Sequence, residues 1–393
     1  MRIALFSDVY IPAVSGVATS TQLLKNELVK LGHEVYVYTV KDPAAKIDDE
    51  NVIRIPSLPF ISAKRLAVNL SPLLYRQIRK QQFDIIHTQT EFGLGVLGRS
   101  IARRENIPFV HTFHTIYEDF TRDMLTKWPR LIDNGTASLV RSVSKRFCNS
   151  ADRVIVPTEK AVALLKEYGV IRPMHIIPTG LDLERFKMAA HDEQKRLELR
   201  SRLGLKPEDK VLLYLGRVSN EKHIDELLDY LFRLFPQIAG LKLVITGEGA
   251  AYNRLVKRVE LANQCNNVIF TGPVPHSEVP YYYAMADIFT SASQSETQGL
   301  TYIEAQASGL PILVRKDPAL DKVVTEGENG HYFTDEESFA ANLKLLLSRL
   351  QQSREEIVQL SLASAARFDV SVFATSVLDV YTQATSNPGK PIL

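Results

Sequence analysis

The chain alternates short apolar runs with longer amphipathic stretches. The runs are rich in β-branched residues, which is typical of buried strands. In the first half of the chain they cover residues 3–7, 35–40, 52–55, 85–88, 109–113 and 154–157. In the second half they cover residues 211–216, 243–247, 268–271, 288–291 and 312–314. Apolar residues near helical spacing predict helices between them, at residues 21–31, 222–235 and 252–262.

Strands that alternate with helices indicate parallel sheets covered on both faces. The pattern starts again after the polar stretch 191–210. We therefore predict an α/β protein with two doubly wound, Rossmann-like domains that face each other across a cleft. The first would cover residues 1–185 and the second residues 186–370. Residues 371–393 would form a helix and a tail that could pack back on the first domain.

Composition limits the classes of protein to consider. A length of 393 residues with 45% hydrophobic and 23% charged residues is typical of a globular protein of about two domains. The two cysteines, Cys148 and Cys265, have no metal-ligand spacing and favour a reducing compartment. The sequence shows neither an export signal nor an apolar stretch long enough to cross a membrane. We therefore expect a protein that acts in the cytosol or at a membrane surface.

Candidate binding residues follow the predicted strands of the second half. In doubly wound sheets, ligands bind at the carboxyl ends of the strands. Arg217 follows one strand directly, and Lys222 stands where the next helix should start. A planar guanidinium and a point charge both suit a diphosphate, and the helix N-terminus adds a positive partial charge. Gly247 follows the next strand, where the backbone could approach a ligand. The alternatives are ordinary surface cations and a tight turn.

Two glutamates flank a glycine-leucine pair in the segment "SETQGLTYIEA". Glu296 precedes Gly299-Leu300 and Glu304 follows it, with seven residues between the two carboxylates. A carboxylate on a helix can accept both hydroxyls of a vicinal diol such as a ribose. One in the preceding loop can reach a second hydroxylated group. The alternative is a pair of solvated helix glutamates.

The first half carries two weaker signals. Gly16 lies in the turn between the first strand and its helix, where backbone N–H groups can face an anion. A complete G-x-G-x-x-G motif is missing there, which disfavours a nicotinamide-dependent dehydrogenase. His111 and His114 lie at a strand end in "FVHTFHT". A buried structural histidine is the alternative for either one.

Together these motifs resemble those of the retaining glycosyltransferases of family four, which have the two-domain GT-B fold. The resemblance covers most of the chain. It rests on the first-strand glycine loop and on the motifs "HTFH", "GR…EK", "TGEG" and E-x7-E followed by "EAQASGLP". The segments "DVYIPAVSGVATS", "TEFGLG", "HTFHTIYEDF" and "SETQGLTYIEA" are most similar to bacterial 1,2-diacylglycerol 3-alpha-glucosyltransferases.

The resemblance implies a role for each matching residue. Glu304 would hold the ribose of the nucleotide, Glu296 the hydroxyls of the donor sugar, and His114 would lie near the reacting carbon. The implied catalytic residues are His114, Glu296, Arg217 and Lys222. The implied donor-binding residues are Gly16, Arg217, Lys222, Gly247, Glu296, Gly299, Leu300 and Glu304.

The resemblance also implies a reaction. Glucose would pass from UDP-glucose to the 3-hydroxyl of 1,2-diacylglycerol with an α linkage, by front-face attack assisted by the leaving phosphate. Positive charge aimed at the departing diphosphate lowers the barrier. Because Arg217 and Lys222 can supply it, and because no D-x-D signature stands in a suitable place, we expect neither a metal nor another cofactor.

A lipid acceptor requires contact with a bilayer, and the charge distribution favours one. The net charge is only +2, but basic residues predominate over residues 1–188 and acidic residues over the remainder. Segments 64–80 and 122–153 combine basic with apolar residues, as expected of helices that lie in an anionic lipid interface. Ordinary surface helices are the alternative. We expect a peripheral protein on the cytoplasmic, inner face of the cell membrane, with no nucleic-acid partner.

Two other functions stay open at this point. The same fold could serve another acceptor, such as a glycolipid, an inositol lipid or a soluble sugar. Alternatively, the chain could be a non-catalytic two-domain ligand-binding protein, although the cation pair and both glutamates argue against that. The sequence does not distinguish glucose from galactose in the donor.

Overall fold

The computed structural model describes residues 1–13, 15–45, 50–59, 65–67, 72–114, 135–294 and 296–386. The chain divides into two compact units. The first unit consists of Met1–Leu181 together with Val370–Leu393, and the second consists of Asp182–Asp369.

The first unit is built on a parallel sheet of seven strands in the order β3-β2-β1-β6-β7-β8-β9. A short antiparallel pair, β4 and β5, lies outside it. The strands are β1 Arg2–Phe6, β2 Glu34–Val40, β3 Val52–Ile55, β4 Ser57–Pro59, β5 Arg65–Ala67, β6 Ile85–Thr88, β7 Phe109–Thr112, β8 Arg153–Val156 and β9 Met174–Ile176. The helices among them are α1 Gly16–Lys30, α2 Pro72–Lys80, α3 Gly93–Glu105, α4 Gly135–Cys148 and α5 Glu159–Glu167.

The second unit has a parallel sheet of six strands in the order β12-β11-β10-β13-β14-β15. These strands are β10 Lys210–Leu215, β11 Leu241–Thr246, β12 Val268–Gly272, β13 Ile288–Ser291, β14 Ile312–Arg315 and β15 Gly330–Phe333. The helices are α6 Leu183–His191, α7 Glu193–Arg202, α8 Ile224–Leu234, α9 Tyr252–Leu261, α10 Val279–Ala284, α11 Leu300–Ala307 and α12 Glu336–Ala366. The two parallel sheets with helices confirm the prediction of an α/β protein with two Rossmann-like domains.

The helices follow from their apolar spacing. In α8 the buried residues recur every three or four positions and join the core of the second unit: Ile224, Leu227, Leu228, Leu231 and Leu234. Helix α12 begins at a capping box formed by Asp335 and Ser338 and is kinked at Ser353.

A final helix, α13, spans Val370–Ser386 and belongs to the first unit. Its buried side chains form one stripe: Val370, Phe373, Ala374, Val377, Val380, Tyr381 and Ala384. This stripe completes a core on one face of the first sheet, together with apolar side chains of β1, β2, β6, β7 and β8. The last helix of the chain is therefore an integral layer of the first unit.

None of the helices within the described ranges is long and apolar enough to cross a membrane.

Candidate functional site

The strand order of the second unit reverses beside β10. This strand pairs with β11 on one side and with β13 on the other, so the chain direction across the sheet changes between β10 and β13. Such a switch point opens a crevice at the carboxyl ends of the strands, where ligands bind. Arg217 and Lys222 follow β10, and Glu296 follows β13.

The structure brings Lys222 and Glu296 together. The Lys222 ammonium lies 2.7 Å from Oε1 of Glu296, although 74 positions separate the two residues. It also donates a hydrogen bond of 3.3 Å to the hydroxyl of Ser293. Only 16% of the Lys222 side chain and 14% of the Glu296 side chain are exposed. At this burial, an ion pair is held more firmly than on an open surface, and removal of either partner leaves an uncompensated charge.

The backbone around Lys222 differs from the prediction. Lys222 ends a short 3₁₀ turn, Asn220–Lys222, and α8 begins only at Ile224. His223 separates the two with φ of 49°. Lys222 therefore precedes the helix, and its own ammonium is the positive charge that it brings to the site.

Arg217 lies in a more open setting. Its side chain is 60% exposed, and its Nε lies 3.6 Å from Oε1 of Glu221. The Tyr214 hydroxyl donates to the carbonyl oxygen of Arg217 at 2.8 Å, which fixes the backbone after β10. The backbone at Arg217 is thus held by Tyr214, and its guanidinium is largely exposed beside Glu221.

Glu304 lies on α11 in a different environment. One carboxylate oxygen accepts a 2.8 Å hydrogen bond from the hydroxyl of Tyr283, which is fully buried. Burial raises the pKa of the Glu304 carboxyl, while the Tyr283 hydrogen bond and the nearby charge of Arg185 oppose that rise. Tyr283 and Arg185 were absent from the sequence-based set. Tyr283 lies within the run "YYYAMA", whose apolar character indicates only core packing.

Gly299 sets the entry to α11. Its φ of 76° is in the left-handed region, and an added Cβ would lie 2.8 Å from side-chain atoms of Leu320 and Tyr302. Leu300 is the first residue of the helix and is half-buried. The helix therefore starts at one defined point, which places Glu304 one turn further along.

Gly247 joins two loops of the site. With φ of 132°, an added Cβ would lie 2.0 Å from the carbonyl oxygen of Gly216, so the backbones after β10 and β11 touch here. Gly249 meets Val218 in the same manner, at 2.3 Å. These contacts give Gly247 a structural role beside any contact it makes with a ligand.

In the first unit, Gly16 and His114 both lie at the carboxyl ends of strands. Gly16 is the first residue of α1, and the Ser15 side chain caps that helix by accepting from the Val17 amide at 3.2 Å. His114 follows β7, and its Nε2 lies 2.6 Å from Oε1 of Gln89. Burial, and then the neighbouring His111, lower the pKa of His114 to about 3, so its ring is neutral at physiological pH.

His111 has structural partners. It is fully buried, its Nδ1 lies 2.9 Å from the Thr88 hydroxyl, and its Nε2 lies 3.5 Å from Oε1 of buried Glu91. The alternative of a structural histidine fits this residue, whose neighbours come from the two adjoining strand ends. Gln89 was not singled out from the sequence, where an amide at a strand end carries no distinctive signal.

The two basic segments are described in part. In segment 64–80, residues 64 and 68–71 lie outside the described residues, residues 65–67 form strand β5, and residues 72–80 form α2. Arg76 and Lys80 are exposed on α2, whereas Arg79 pairs with Glu105 of α3 at 3.0 Å. Leu73 is 64% exposed on the same helix. In segment 122–153, residues 122–134 lie outside the described residues.

Across the described parts of the chain, no group of three or more His, Cys, Asp or Glu side chains is arranged to hold a metal ion. The independence from metals therefore stays a prediction.

Comparison with known proteins places the chain among glycosyltransferases. Residues 14–185 match the family model "Glycosyltransferase Family 4", and residues 195–359 match "Glycosyl transferases group 1". The chain is 40% identical to an alpha-monoglucosyldiacylglycerol synthase of Streptococcus pneumoniae, over 86% of this chain and 77% of that protein. It is 35% identical to the alpha-monoglucosyldiacylglycerol synthase of Acholeplasma laidlawii, over 87% of each.

The fold has relatives among solved structures. The crystal structure of Anabaena Alr3699/HepE in complex with UDP-glucose superposes with a TM-score of 0.75 at 19% identity. The match covers 98% of this chain and 100% of that one. At this identity, the likeness describes the fold alone.

Proposed function

We propose a specific reaction for this chain, which belongs to glycosyltransferase family 4 and is a glycosyltransferase of the GT-B fold. It transfers glucose from UDP-glucose to the 3-hydroxyl of 1,2-diacylglycerol with retention of configuration, and forms alpha-monoglucosyldiacylglycerol at the membrane surface. The observation that carries the proposal is the Lys222–Glu296 pair at the switch point of the second sheet.

The pair joins the two kinds of group that a sugar-nucleotide donor needs. An ammonium suits the diphosphate, and a carboxylate accepts hydrogen bonds from sugar hydroxyls. During transfer, negative charge grows on the departing diphosphate, and a cation already in place stabilises that charge without reorganisation. Lys222 is held at a fixed position by Glu296 and Ser293. Arg217, whose guanidinium is largely exposed after the same strand, can bring a second positive charge to the diphosphate.

Glu304 is the proposed ligand of the ribose. Its carboxylate is fixed by Tyr283 and lies one helical turn from Gly299, which sets the start of α11. With the cations after β10 and Glu304 on α11, the helix that follows the neighbouring strand β13, the second unit would bind the nucleotide. His114 is the proposed contact of the first unit with the donor sugar. Its neutral ring can exchange a hydrogen bond with a hydroxyl.

The acceptor is proposed from the relatives and from the surface of the first unit. The names of two relatives, at 40% and 35% identity, support diacylglycerol as the acceptor. Exposed Arg76 and Lys80 beside exposed Leu73 on α2 form a surface suited to anionic lipid. We place the enzyme peripherally, on the cytoplasmic face of the cell membrane. Arg217 and Lys222 take the part that a divalent metal plays elsewhere, so no metal is required.

The test is to identify the lipid product. The protein is incubated with vesicles that contain 1,2-diacylglycerol and, in separate reactions, labelled UDP-glucose, UDP-galactose or GDP-mannose. A single α-linked glucolipid from UDP-glucose supports the proposal. Transfer only to an added inositol lipid, an existing glycolipid or a soluble sugar would replace the proposed acceptor. Binding of UDP without transfer or donor hydrolysis would leave a non-catalytic binding protein.

A further inference from the structure

A line of buried polar side chains crosses the first unit and ends at His114. It begins at Tyr381 of α13, whose hydroxyl lies 2.6 Å from Nδ1 of His87. The other ring nitrogen of His87, Nε2, lies 2.6 Å from the hydroxyl of Thr112. Tyr381 and His87 are fully buried, and burial lowers the pKa of His87 well below its usual value. The His87 ring is therefore neutral and held at both nitrogens.

Gln89 continues the line toward the strand end. Its amide nitrogen lies 3.2 and 3.1 Å from the two ring nitrogens of His87, and its amide oxygen lies 2.6 Å from Nε2 of His114. Only 2% of Gln89 is exposed. In this orientation of the Gln89 amide, its oxygen can only accept a hydrogen bond, which assigns the proton to Nε2 of His114. That tautomer leaves Nδ1 of His114 as an acceptor.

Strand periodicity explains why these residues meet. Side chains two positions apart on a strand point to the same face of a sheet. His87 in β6 and Gln89, directly after the end of that strand, therefore share one face, as do Thr112 at the end of β7 and His114 two positions further on. The same face carries Ile85 and Val110 in the core that α13 covers. The opposite face carries Phe109 and Phe113 in a separate core.

We propose that Gln89 is a positioning residue for His114, and that Tyr381 and His87 in turn fix Gln89. The line holds the imidazole of His114 in the Nε2–H tautomer and presents Nδ1 as the acceptor for a hydroxyl of the sugar. The catalytic consequence rests on the proposed function, because it requires that His114 contacts the donor. The assignment of the tautomer rests on the hydrogen bonds alone. Tyr381 acts from a helix that lies 294 positions away from His87 in sequence.

Two titratable side chains of the described residues lie near this line, His111 and Glu91. His111, on the opposite face of β7, lowers the pKa of His114 through its charge. Glu91 lies 3.5 Å from the ring of His111. Burial is the larger cause of the lowered pKa. With no ionised group from α13 in the line, hydrogen bonding sets the tautomer of His114.

The test reads the tautomer directly. The full chain is labelled with ¹⁵N at its nine histidines, and the ring nitrogens are observed by NMR, with His114→Gln to identify the His114 signals. The wild-type protein should show a protonated Nε2 and an unprotonated Nδ1. Gln89→Leu should populate the second tautomer, lower kcat about ten- to hundredfold and leave UDP affinity within twofold. Tyr381→Phe should change both readouts in the same direction, to a smaller extent.

A control variant at Tyr230 and a second substitution at Gln89 complete the test. Tyr230→Phe removes a phenol hydroxyl that donates to Glu226 in the second unit, and it should change neither readout. If Gln89→Leu does not fold, Gln89→Glu keeps the size and the acceptor. Its carboxylate should retain the Nε2 proton and raise the pH at which His114 becomes charged.

The outcomes separate this inference from the proposed function. A wild-type His114 protonated on Nδ1, or tautomers unchanged in both Gln89→Leu and Tyr381→Phe, would overturn the inference whatever the activity. A tautomer that shifts as expected supports the inference. If kcat then stays unchanged in Gln89→Leu and in His114→Ala, the contact between His114 and the donor fails while the hydrogen-bonded line stands.

Discussion

The ammonium of Lys222 lies 2.7 Å from the carboxylate of Glu296, across 74 positions of the chain. The cation proposed for the leaving diphosphate and the carboxylate proposed for the donor sugar therefore hold each other in place. Such a pair keeps both charges compensated before the donor arrives, and it limits the reorganisation needed on binding. Substitution of either residue should therefore affect activity and stability more than substitution of a residue in an exposed ion pair.

Lys222→Ala should lower kcat about 100- to 1,000-fold, because one preorganised donor to the developing charge is lost, at about 2.7–4 kcal/mol. The readout is initial-rate kinetics with diacylglycerol vesicles. Since the substitution leaves Glu296 without its cation, thermal unfolding should be recorded alongside, with Lys222→Ala/Glu296→Gln as the variant that removes both charges. Near wild-type kcat in a folded Lys222→Ala protein would refute the assignment.

Arg217→Ala should lower kcat by a similar factor with little effect on stability, because its side chain is 60% exposed. Arg233→Ala is the matched control, since Arg233 is 67% exposed and pairs with Glu336 in the same unit. The prediction requires that kcat falls for Arg217→Ala alone. Equal effects of the two substitutions would show that surface charge in general, rather than this guanidinium, is responsible.

Glu304→Gln should weaken UDP binding, because charge-assisted hydrogen bonds to ribose hydroxyls become neutral ones. Calorimetric titration with UDP measures the change. The folded protein should meanwhile gain stability at neutral pH. The pKa of Glu304 is raised by burial, so the native state holds its proton more tightly than the unfolded chain does.

The sign of that effect follows from linkage. Ionisation of Glu304 destabilises the native protein as pH rises from the unfolded pKa through the raised folded pKa, and the effect is absent below the unfolded value. A glutamine at position 304 cannot ionise, so the variant is not destabilised as the pH rises. The stability difference between Glu304→Gln and wild type should grow across this window in denaturant titrations. A constant difference at all pH values, together with unchanged UDP affinity, would make Glu304 an ordinary helix glutamate.

The sequence predicts the fold better than it predicts the local geometry of the site. Parallel strands such as those predicted at 211–216 and 243–247 stand out because burial on both faces makes them largely apolar. The strands β9 and β15 were missed, because they are short and their burial is mixed or interrupted by polar residues. The antiparallel pair of β4 and β5 was missed because each strand has only three residues.

The sequence suggests candidate site residues where chemistry is concentrated in one side chain. Charged groups after strands, such as Lys222 and Glu296, carry a signal in the sequence, but their contact across 74 positions does not. Tyr283 and Gln89 act through one hydroxyl and one amide that only folding brings to their partners. The turn at His223 could not be predicted either, since a positive φ at a non-glycine residue has no clear sequence signature.

Gly247→Ala should destabilise the second unit by more than about 1 kcal/mol, because a Cβ would meet the Gly216 carbonyl oxygen and φ is in the left-handed region. Denaturant unfolding measures the change. Gly327→Ala is a control with φ of 81° and no atom within 4 Å of the added Cβ. A larger loss for Gly247→Ala than for Gly327→Ala isolates the close backbone contact. Equal losses would assign the effect to φ alone.

Activity should survive prolonged treatment with a strong chelator, since Arg217 and Lys222 supply the positive charge proposed for the diphosphate. Initial rates before and after EDTA and gel filtration test this. Full activity without added metal is expected. Loss of activity that Mg²⁺ or Mn²⁺ restores would show that a metal ion takes part. The positive charge at the diphosphate would then come from the metal ion as well as from Arg217 and Lys222.

The lipid surface provides the last prediction. Arg76→Ser with Lys80→Ser should weaken binding to anionic vesicles about thirtyfold, because each basic residue near such a surface contributes about 1 kcal/mol. Arg79 is left in place because it pairs with Glu105. Lys257→Ser with Lys344→Ser removes two exposed lysines from the second unit and serves as the control.

Vesicle sedimentation at several anionic lipid fractions measures binding, and UDP affinity should stay unchanged in both variants. The wild-type interaction should weaken as salt rises, since screening shortens to about 8 Å at physiological ionic strength. If both double variants sediment like the wild type at every composition, α2 is an ordinary solvated helix and another surface meets the bilayer.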